Sequence, residues 1–309
     1  MLPKCLIATT FIGLEKQLAR LQERFDCRYE PDVVLPCGGF ADTEILIVNP
    51  NNLNWSLDVN TLQELKSLKY ILTISTGIAH IDLDYVNDRG IQLVSLKDST
   101  NEMHDITATA ELAFLFFLAK SRNFQHAASP DSLQRWDWRE SLGYQLREQA
   151  VGILGMGRLG KLFDRYCNSF GCSTRWYDPN VGGGANNIEE IIQHSDVLSV
   201  HANYYPGMKP LIDGDLLKLA KPSIHIINTA RGELIDEDAL VDFLDRNNSA
   251  HYSADVLSNE QNRQNNVLYK YSKHSSNVTL TPHVGGMTVG SRELAYKLAL
   301  NKFFNFMES

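Results

Sequence analysis

The sequence has few cysteines, and they stand in no pattern that would bind a metal. Its five cysteines include no CxxC pair: Cys5, Cys27, Cys37, Cys167 and Cys172. An odd number at irregular spacing is not typical of a disulfide framework, and thiolate metal sites need close pairs. We therefore expect reduced, buried thiols and no metal site.

Long apolar runs and concentrations of positive charge are also missing. The longest apolar block, AELAFLFFLAK, is well short of the roughly 20 residues that cross a bilayer. The first residues, MLPKCLIATTFIGLEKQ, lack the length and flanks of a signal peptide. Lys and Arg total 29 against 37 Asp and Glu, a net charge of -8, and no segment concentrates the basic residues. This composition disfavours a nucleic-acid or membrane partner and predicts a cytoplasmic protein.

Apolar, strand-like runs alternate with amphipathic, helix-like stretches in two sets. The runs are KCLIATT, EILIV, YILTIS and IQLVSL in the first set, and AVGILG, CSTRWYD, SDVLSVHA, SIHIINTA, AHYSADV and NVTLTPH in the second. A helical pattern from residue 107 to about 123 and an aperiodic arm separate the sets, and a helical tail covers 291–307. Strands that alternate with helices predict an α/β fold of two wound parallel-sheet domains.

A glycine-rich turn, VGILGMGRLG, begins the second set. Here Gly155 would make the tight bend, Gly157 would let the backbone approach a pyrophosphate, and Gly160 would let helix and strand pack closely. The helix behind the turn would attract the pyrophosphate at its N-terminus. Asp178 ends the next strand-like run, about where an acid binds the adenosine ribose, and it would repel a 2′-phosphate. The pattern predicts NAD, bound by Asp178 and by Gly155, Met156, Gly157, Arg158, Leu159 and Gly160.

Four motifs in this order resemble those of the D-isomer-specific 2-hydroxyacid dehydrogenases. GILGMGRLG is similar to the family's nucleotide turn, INTARGELIDEDAL to its arginine motif, ADVLSNE to its glutamate motif and LTPHVGG to its histidine motif. Order and spacing agree over about residues 45–300. The resemblance implies a Rossmann NAD-binding domain at residues 101–284, inserted into a flavodoxin-like substrate domain at residues 1–100 and 285–309. It also implies an NAD-dependent dehydrogenase that acts on a D-2-hydroxy acid and its 2-keto acid.

Three residues of these motifs have the chemistry that hydride transfer to a 2-keto acid requires. Arg231 offers a planar cation for the carboxylate. His283 can give or take the carbonyl proton near neutral pH, and Glu260 would stabilise its imidazolium form. Each residue also has a structural interpretation: a surface ion pair for Arg231, a solvated loop charge for Glu260, and a satisfied histidine after a strand for His283. Their joint presence in matching motifs favours catalysis.

The resemblance implies further contacts with cofactor and substrate. The backbone at Gly77 and Ile78 would receive the substrate carboxylate. Asp255 would contact the nicotinamide carboxamide, although it could equally cap a local turn. His201 would border the cofactor or act structurally. The remaining predicted cofactor residues are Thr229, Ala230 and Gly285.

The chain departs from the family pattern in loops and not at the three catalytic candidates. Asn203 and Gln261 stand where the family has proline, Leu257 stands for an aromatic residue, and the stretch 261–277 is longer than usual. The candidates for the substrate side-chain pocket are Asn51, Asn52 and Leu53. Since no clear basic cluster for a phosphate stands there, a small or apolar 2-keto acid is predicted.

Two other functions fit parts of the pattern. The resemblance also reaches NAD-binding corepressors, so an NAD-sensing binding protein of the same fold stays open as an alternative. Steady turnover would oppose that alternative. A formate-type dehydrogenase fits less well, because its pattern has glutamine where this chain has Glu260.

The arm at residues 107–146 has more aromatic surface than a linker needs. Its large aromatic residues are Phe114, Phe116, Phe117, Trp136 and Trp138. In the resembling family this region builds a two-fold dimer, and we therefore expect a homodimer. The alternative is that the arm packs entirely on its own nucleotide domain.

Overall fold

The computed structural model describes residues 1–35, 38–49, 56–78, 80–99 and 102–308. The chain divides into two compact units. The first unit contains Met1–Ile106 and Met287–Ser309, and the second unit, Thr107–Gly286, is inserted between these segments. The end of the inserted unit was predicted after residue 284, and the structure has it after residue 286. The predicted first boundary, between residues 100 and 101, lies outside the described residues.

Strands occur in both units. Those of the first unit are β1 (Lys4–Ile7), β2 (Asp26–Tyr29), β3 (Ile45–Val48), β4 (Tyr70–Thr73) and β5 (Gln92–Val94). Those of the second unit are β6 (Ala150–Leu154), β7 (Ser173–Tyr177), β8 (Val197–Val200), β9 (His225–Asn228), β10 (His251–Ala254) and β11 (Val278–Leu280).

Helices alternate with these strands. Those of the first unit are α1 (Glu15–Gln22), α2 (Val59–Glu64), α3 (Leu83–Asp88) and, after the inserted unit, α12 (Val289–Glu308). Those of the second unit are α4 (Ala108–Ser121), α5 (Phe124–Ala127), α6 (Pro130–Arg135), α7 (Arg158–Ser169), α8 (Ile188–His194), α9 (Gly214–Leu217), α10 (Glu237–Arg246) and α11 (Val267–Ser272). Short 3-10 helices cover Arg139–Ser141, Leu146–Glu148, Gly232–Leu234 and Glu260–Asn265.

The first unit is built on a parallel sheet in the order β2-β1-β3-β4-β5, which is the flavodoxin-like order. Alternate residues of β3 enter two different apolar clusters. Ile47 packs in a cluster with Phe303 of α12, and Leu46 packs in another with Leu62 of α2. Because both faces of the strand are covered, its sequence is an uninterrupted apolar run.

The second unit is built on a parallel sheet in the order β11-β10-β9-β8-β6-β7. After the edge strand β7 the chain crosses back over β6 and forms β8 on its other side. In open α/β sheets ligands bind beyond the carboxyl ends of the strands at such a change of direction. Each strand-like run of the second set is a strand here. The predicted fold, two wound parallel sheets with one unit inserted into the other, is confirmed.

The aromatic residues of the arm divide into two groups. Phe116 and Phe117 of α4 are buried against Phe163 of α7, within the core of their own unit. Trp136 and Trp138 are 84% and 70% exposed. The two phenylalanines therefore pack on their own unit, which is what the alternative of an arm packed entirely on its own domain expects. The two tryptophans stay largely exposed, which that alternative does not expect.

The described residues contain neither a membrane-spanning helix nor a metal-binding cluster. Within those residues no helix is both long and apolar enough to cross a membrane. The described part of the chain also contains no group of three or more His, Cys, Asp or Glu side chains that could hold a metal ion. Cys5, Cys167 and Cys172 are buried free thiols and Cys27 is a half-buried one, while Cys37 lies outside the described residues.

Candidate active site

The glycine turn joins β6 to α7 and lies against the chain that follows β8. Gly155 has a φ of +94°, in the region that favours glycine, and a Cβ there would be 2.7 Å from the His201 carbonyl group. A Cβ on Gly160 would be 2.0 Å from the carbonyl oxygen of Gly155. Both glycines are therefore required by close packing of strand, turn and helix at the change of direction in the sheet.

Gly157 differs from the other two glycines because its surroundings are open. A Cβ at this position would meet nothing within 4 Å. Gly157 is the N-cap of α7 and supplies no side-chain hydrogen bond to the first N–H groups of that helix. Such N–H groups attract phosphate. The open turn in front of a 12-residue helix fits the pyrophosphate of a dinucleotide.

Asp178 follows β7 directly and reaches the same turn. Its Oδ2 accepts the backbone N–H of Met156 at 2.8 Å, and its Oδ1 accepts the backbone N–H of Asn180 at 2.8 Å. Within the turn, Met156 is buried, while Arg158 and Leu159 are half-buried. The carboxylate is thus held beside the turn, at the position where a ribose-binding acid is expected.

His201 and Thr229 follow β8 and β9 at the carboxyl edge of the sheet. Burial lowers the pKa of His201 to about 4, so its ring is neutral at pH 7. Nε2 of the ring lies 2.9 Å from the Ser199 hydroxyl. Nδ1 of His201 and Oγ1 of Thr229 are buried without a hydrogen-bond partner among the described residues. Such atoms are rare in folded proteins, and these two lie at the sheet edge where a polar ligand is expected.

His283 and Glu260 are in direct contact. Nδ1 of His283 lies 2.9 Å from Oε2 and 3.0 Å from Oε1 of Glu260. An ionised carboxylate only accepts hydrogen bonds, so Nδ1 carries the proton that is donated to it. This tautomer assigns proton exchange with a ligand to the other ring nitrogen, Nε2. Two residues 23 positions apart thereby form a unit that can hold and release a proton.

The loop that carries His283 is fixed by Asp255, which is 2% exposed. Its Oδ1 accepts the Val284 N–H at 2.7 Å and the Thr281 hydroxyl, and its Oδ2 accepts the Gly285 N–H at 2.7 Å. Burial raises the pKa of Asp255, and these hydrogen bonds lower it. Asp255 therefore caps the local turn, which is one of the two roles that the sequence left open. Its predicted contact with the carboxamide stays a prediction.

The backbone of His283 has a φ of +53°, which is uncommon outside glycine. Its N–H donates to the carbonyl oxygen of Asp255 at 2.9 Å, so the same loop contacts enforce the conformation. A left-handed residue of this kind costs roughly 1–3 kcal/mol and occurs most often at functional sites. The conformation sets the direction in which the ring leaves the chain.

Arg231 is a half-buried cation between β9 and the 3-10 helix Gly232–Leu234. Its Nη1 donates to the Ala230 carbonyl oxygen at 2.6 Å. No carboxylate pairs with it in the described residues, so the alternative of a surface ion pair is not found there. A guanidinium without a carboxylate partner is suited to bind the carboxylate of a ligand.

Comparison with known proteins agrees with this geometry. The family profile "D-isomer specific 2-hydroxyacid dehydrogenase, NAD binding domain" matches residues 114–285, which is more than half of the chain. The chain belongs to this family. NAD is its cofactor, as predicted, and the resemblance stated from the motifs is confirmed.

Individual relatives of this D-2-hydroxyacid dehydrogenase family are distant in sequence and close in fold. A provisionally named 2-hydroxyacid dehydrogenase from Staphylococcus aureus strain N315 is 27% identical, over 93% of this chain and 92% of the relative. The second relative is a provisionally named D-isomer specific 2-hydroxyacid dehydrogenase, NAD-binding, from Polaromonas sp. JS6 66. Its crystal structure has a TM-score of 0.82 and 25% identity, covering 100% of this chain and 97% of that one.

A third relative is known in complex with ligands. The D-lactate dehydrogenase from Aquifex aeolicus, complexed with NAD and lactic acid, has a TM-score of 0.80 and 23% identity, covering 99% of this chain and 95% of that one. At this identity the likeness shows the fold alone.

Two polar residues that matter to this family site were missed from the sequence. Asn228 is fully buried at the end of β9, and it donates to the Arg231 carbonyl oxygen at 2.8 Å and accepts the Ala230 N–H at 3.0 Å. Glu237, on α10, bonds to the loop before Glu260. An amide that ends an apolar strand run was a signal for Asn228, whereas Glu237 stands in the arginine motif with no feature that indicated its partner.

The predicted substrate residues of the first unit are only partly described. Gly77 and Ile78 follow β4 and are half-buried, and the Ser75 hydroxyl donates to the Gly77 carbonyl oxygen at 2.7 Å. The pocket candidates Asn51, Asn52 and Leu53 lie outside the described residues.

Proposed function

We propose that the protein is an NAD-dependent oxidoreductase for a small D-2-hydroxy acid and the corresponding 2-keto acid. The observation that carries this proposal is the contact of Nδ1 of His283 with the Glu260 carboxylate at 2.9 Å, in the unit that binds NAD. The cytoplasm, where thiols stay reduced, is its predicted compartment, in keeping with the free cysteines of the described chain.

In the proposed reaction each catalytic residue has one task. Bound NADH or NAD supplies or accepts the hydride at the carbon that bears oxygen. During reduction Nε2 of His283 gives a proton to the carbonyl oxygen, and during oxidation it takes the proton from the hydroxyl. Glu260 stabilises the imidazolium form through Nδ1. The reduced acid thus gains one hydride on carbon and one proton on oxygen.

Arg231 is proposed to hold the substrate carboxylate. Its fork of N–H groups can make two parallel hydrogen bonds to a carboxylate, and the same charge polarises the neighbouring carbonyl. The backbone at Gly77 and Ile78 is proposed as a second contact for the carboxylate, by the family resemblance. Because no clear basic cluster accompanies the pocket candidates, we favour a substrate without a phosphate.

We further propose that the protein is a homodimer through its arm. The large exposed apolar residues there are Leu115, Phe124, Leu133, Trp136, Trp138, Leu142 and Tyr144. Several large apolar side chains exposed on one segment favour an interaction surface there. Light scattering should give a mass in solution that is twice the 34.8 kDa of one chain. The double variant Trp136→Ser/Trp138→Ser should have the mass of a single chain. Tyr205→Ser, an exposed aromatic outside the arm, is the matched control. A monomeric parent protein would contradict the proposal.

A substrate panel tests the proposed function. NADH oxidation is followed by absorbance with a set of 2-keto acids, some small, some apolar and some with a phosphate. We expect steady turnover that is fastest with a small or apolar 2-keto acid. Tight NADH binding without turnover on any member would contradict the enzyme and favour the NAD-sensing corepressor-like protein.

A further inference from the structure

Glu237, the first residue of α10, is a buried carboxylate that faces the loop carrying Glu260. Its side chain is 6% exposed. Its Oε1 accepts the Ser258 N–H at 2.8 Å, and its Oε2 accepts the Ser258 hydroxyl and the side-chain N–H of Asn266. Within the described residues, every hydrogen bond to this carboxylate comes from that one loop.

Ser258 and Asn266 stand on either side of Glu260 in the sequence. The Glu237 carboxylate therefore holds both ends of the segment that carries Glu260. No residue from 257 to 267 is buried, including the whole 3-10 helix Glu260–Asn265. Leu257 packs against the core of the unit, but the nine residues from Ser258 to Asn266 include no apolar side chain. The position of these nine residues therefore depends on hydrogen bonds, among them those to Glu237.

The same carboxylate links the Glu260 loop to the segment that carries Arg231. Gly232 packs so closely on the loop that a Cβ there would be 2.0 Å from the Leu257 carbonyl carbon and from the Ser258 nitrogen. Five residues after Gly232, Glu237 makes its bonds to Ser258. The segments of Arg231 and Glu260 are thus braced against each other at one place.

The energetics of Glu237 suit a residue whose task is to hold a loop. Burial raises the pKa of its carboxyl group, and the hydrogen bonds from Ser258 and Asn266 lower it. A buried carboxylate loses hydration, which only well-placed donors offset. Its place in the first turn of α10 adds a favourable interaction with the helix dipole. An apolar residue would fill this position without that desolvation, but it would not hold the loop.

We propose that Glu237 is a positioning residue, which fixes the Glu260 carboxylate beside Nδ1 of His283 and acts on proton transfer through it. The inference rests on the proposed function of the His283–Glu260 pair. It adds to that function a residue that does not belong to the catalytic set.

Glu237→Gln is the direct test, because glutamine keeps the shape but places an N–H group among the donors of the loop. We expect kcat for 2-keto acid reduction to fall about 10-fold or more, since a displacement of 1 Å costs about 10²-fold. The dissociation constant of NADH should not change. The alkaline limb of the reduction pH profile should move to lower pH, as in Glu260→Gln. Asp238→Asn, an exposed carboxylate in the same helix turn, is the control and should match the parent protein.

A double variant separates positioning from general stability. Because Glu237 acts through Glu260, Glu237→Gln with Glu260→Gln should have the kcat and alkaline limb of Glu260→Gln alone. Multiplied losses of kcat, with the alkaline limb of Glu237→Gln at its parent position, would overturn the proposal. Should Glu237→Gln fail to fold, Ser258→Ala removes a donor of the same contact and should move the limb in the same direction. An unmoved limb in Ser258→Ala would then overturn it.

NMR titration of the His283 ring in the NAD-free protein keeps this test independent of turnover. Glu260→Gln should lower the pH at which the ring protonates, because an adjacent opposite charge is lost. Glu237→Gln should lower it in the same direction, and Asp238→Asn should not. If no 2-keto acid is turned over, the proposed function fails while the titration still decides the role of Glu237. A ring titration in Glu237→Gln equal to that of the parent would overturn the role.

Discussion

The Asp178 carboxylate has two roles: it is expected to select the cofactor, and it also holds the glycine turn. Its Oδ2 is bonded to the Met156 N–H of the glycine turn, so the charge cannot be removed without also touching the turn. Asparagine in place of Asp178 loses the charge and keeps one acceptor oxygen for the N–H groups of Met156 and Asn180. Alanine loses both. The two substitutions therefore separate the structural contribution of the side chain from the electrostatic one.

The preference for NAD should depend on the charge of Asp178. We expect Asp178→Asn to bind NADPH about 10-fold more tightly than the parent protein does, because repulsion of the 2′-phosphate is removed, which corresponds to about 1.4 kcal/mol. Asp178→Ala should relax the preference as well and should also weaken NADH binding. Dissociation constants from nicotinamide fluorescence measure both effects. Equal affinity of the parent protein for NADH and NADPH would refute this role.

For single residues, the sequence predicts those that take part in catalysis better than those that hold the catalytic residues in place. Arg231, Glu260 and His283 could be identified because each stands in a short motif with a recognisable neighbourhood. The roles of Asn228 and Glu237 were not predicted, although both stand in the arginine motif, because those roles come from contacts that the fold creates. The partner of Glu237, Ser258, is 21 residues away on another loop. Local pattern carries no information about such a pairing.

In the segment formed by strand β6, the glycine turn and helix α7, folding and cofactor binding depend on different glycines. Two of its glycines are needed by the fold and one is left for the ligand. A Cβ at Gly160 would meet a carbonyl oxygen at 2.0 Å, whereas a Cβ at Gly157 would meet nothing within 4 Å. Folding and cofactor binding should therefore respond differently to alanine at these positions.

Gly157→Ala should lower the free energy of unfolding by only about 0.5–1 kcal/mol, because alanine is a poorer N-cap than glycine. It should weaken NADH binding about 10-fold or more, equivalent to about 1.4 kcal/mol. Gly160→Ala should lower the free energy of unfolding by about 1–3 kcal/mol, as overpacking does, and should weaken NADH binding too. Urea unfolding and fluorescence titration measure the two quantities. Gly182→Ala, at another open glycine, is the control and should change neither. Equal NADH affinity in Gly157→Ala and the parent would show that the turn does not approach the pyrophosphate.

Element prediction failed where the elements are polar or short. β2 reads DCRY, with residues that are mostly exposed at the sheet edge, and it has no apolar run for a pattern to find. The stretch 261–277 was described from the sequence as a long loop, but it contains helix α11 and most of the 3-10 helix Glu260–Asn265. The cap of α11, Asn266, was a local signal, since its side chain accepts the Tyr269 N–H at 2.9 Å.

For the molecule as a whole, we expect low pH to reduce the free energy of unfolding, because some histidines are buried in their neutral form. His225 and His251 are paired at the starts of β9 and β10, with their rings 5.3 Å apart. Burial lowers the pKa of His251 to about 3, with a further contribution from Lys120. Burial, the neighbouring His251 and Lys120 lower the pKa of His225 well below its usual value. The unfolded chain binds protons at these residues below about pH 6.5, and the folded protein does not.

The free energy of unfolding should therefore fall as the pH decreases from about 6.5 towards 4, by about 1.4 kcal/mol per pH unit for each such histidine. Glu237 and Asp255, whose pKa values are raised by burial, oppose this slope because they bind protons in the folded state first. His251→Gln removes one titrating group and should make the slope shallower by about one proton. Urea unfolding at a series of pH values measures it, with the exposed His274→Gln as control. Parent and His251→Gln slopes that coincide would contradict the prediction.

The most direct test of the proposed catalytic pair is the rate at which His283→Ala reduces the best 2-keto acid of the panel with NADH. We expect a kcat that is lower than that of the parent protein by a factor of about 10² to 10⁴, the usual contribution of general acid–base catalysis. NADH binding should be unchanged, because the glycine turn and Asp178 are untouched, and His274→Ala should keep the parent rate. Reduction by His283→Ala at the parent rate would contradict the mechanism.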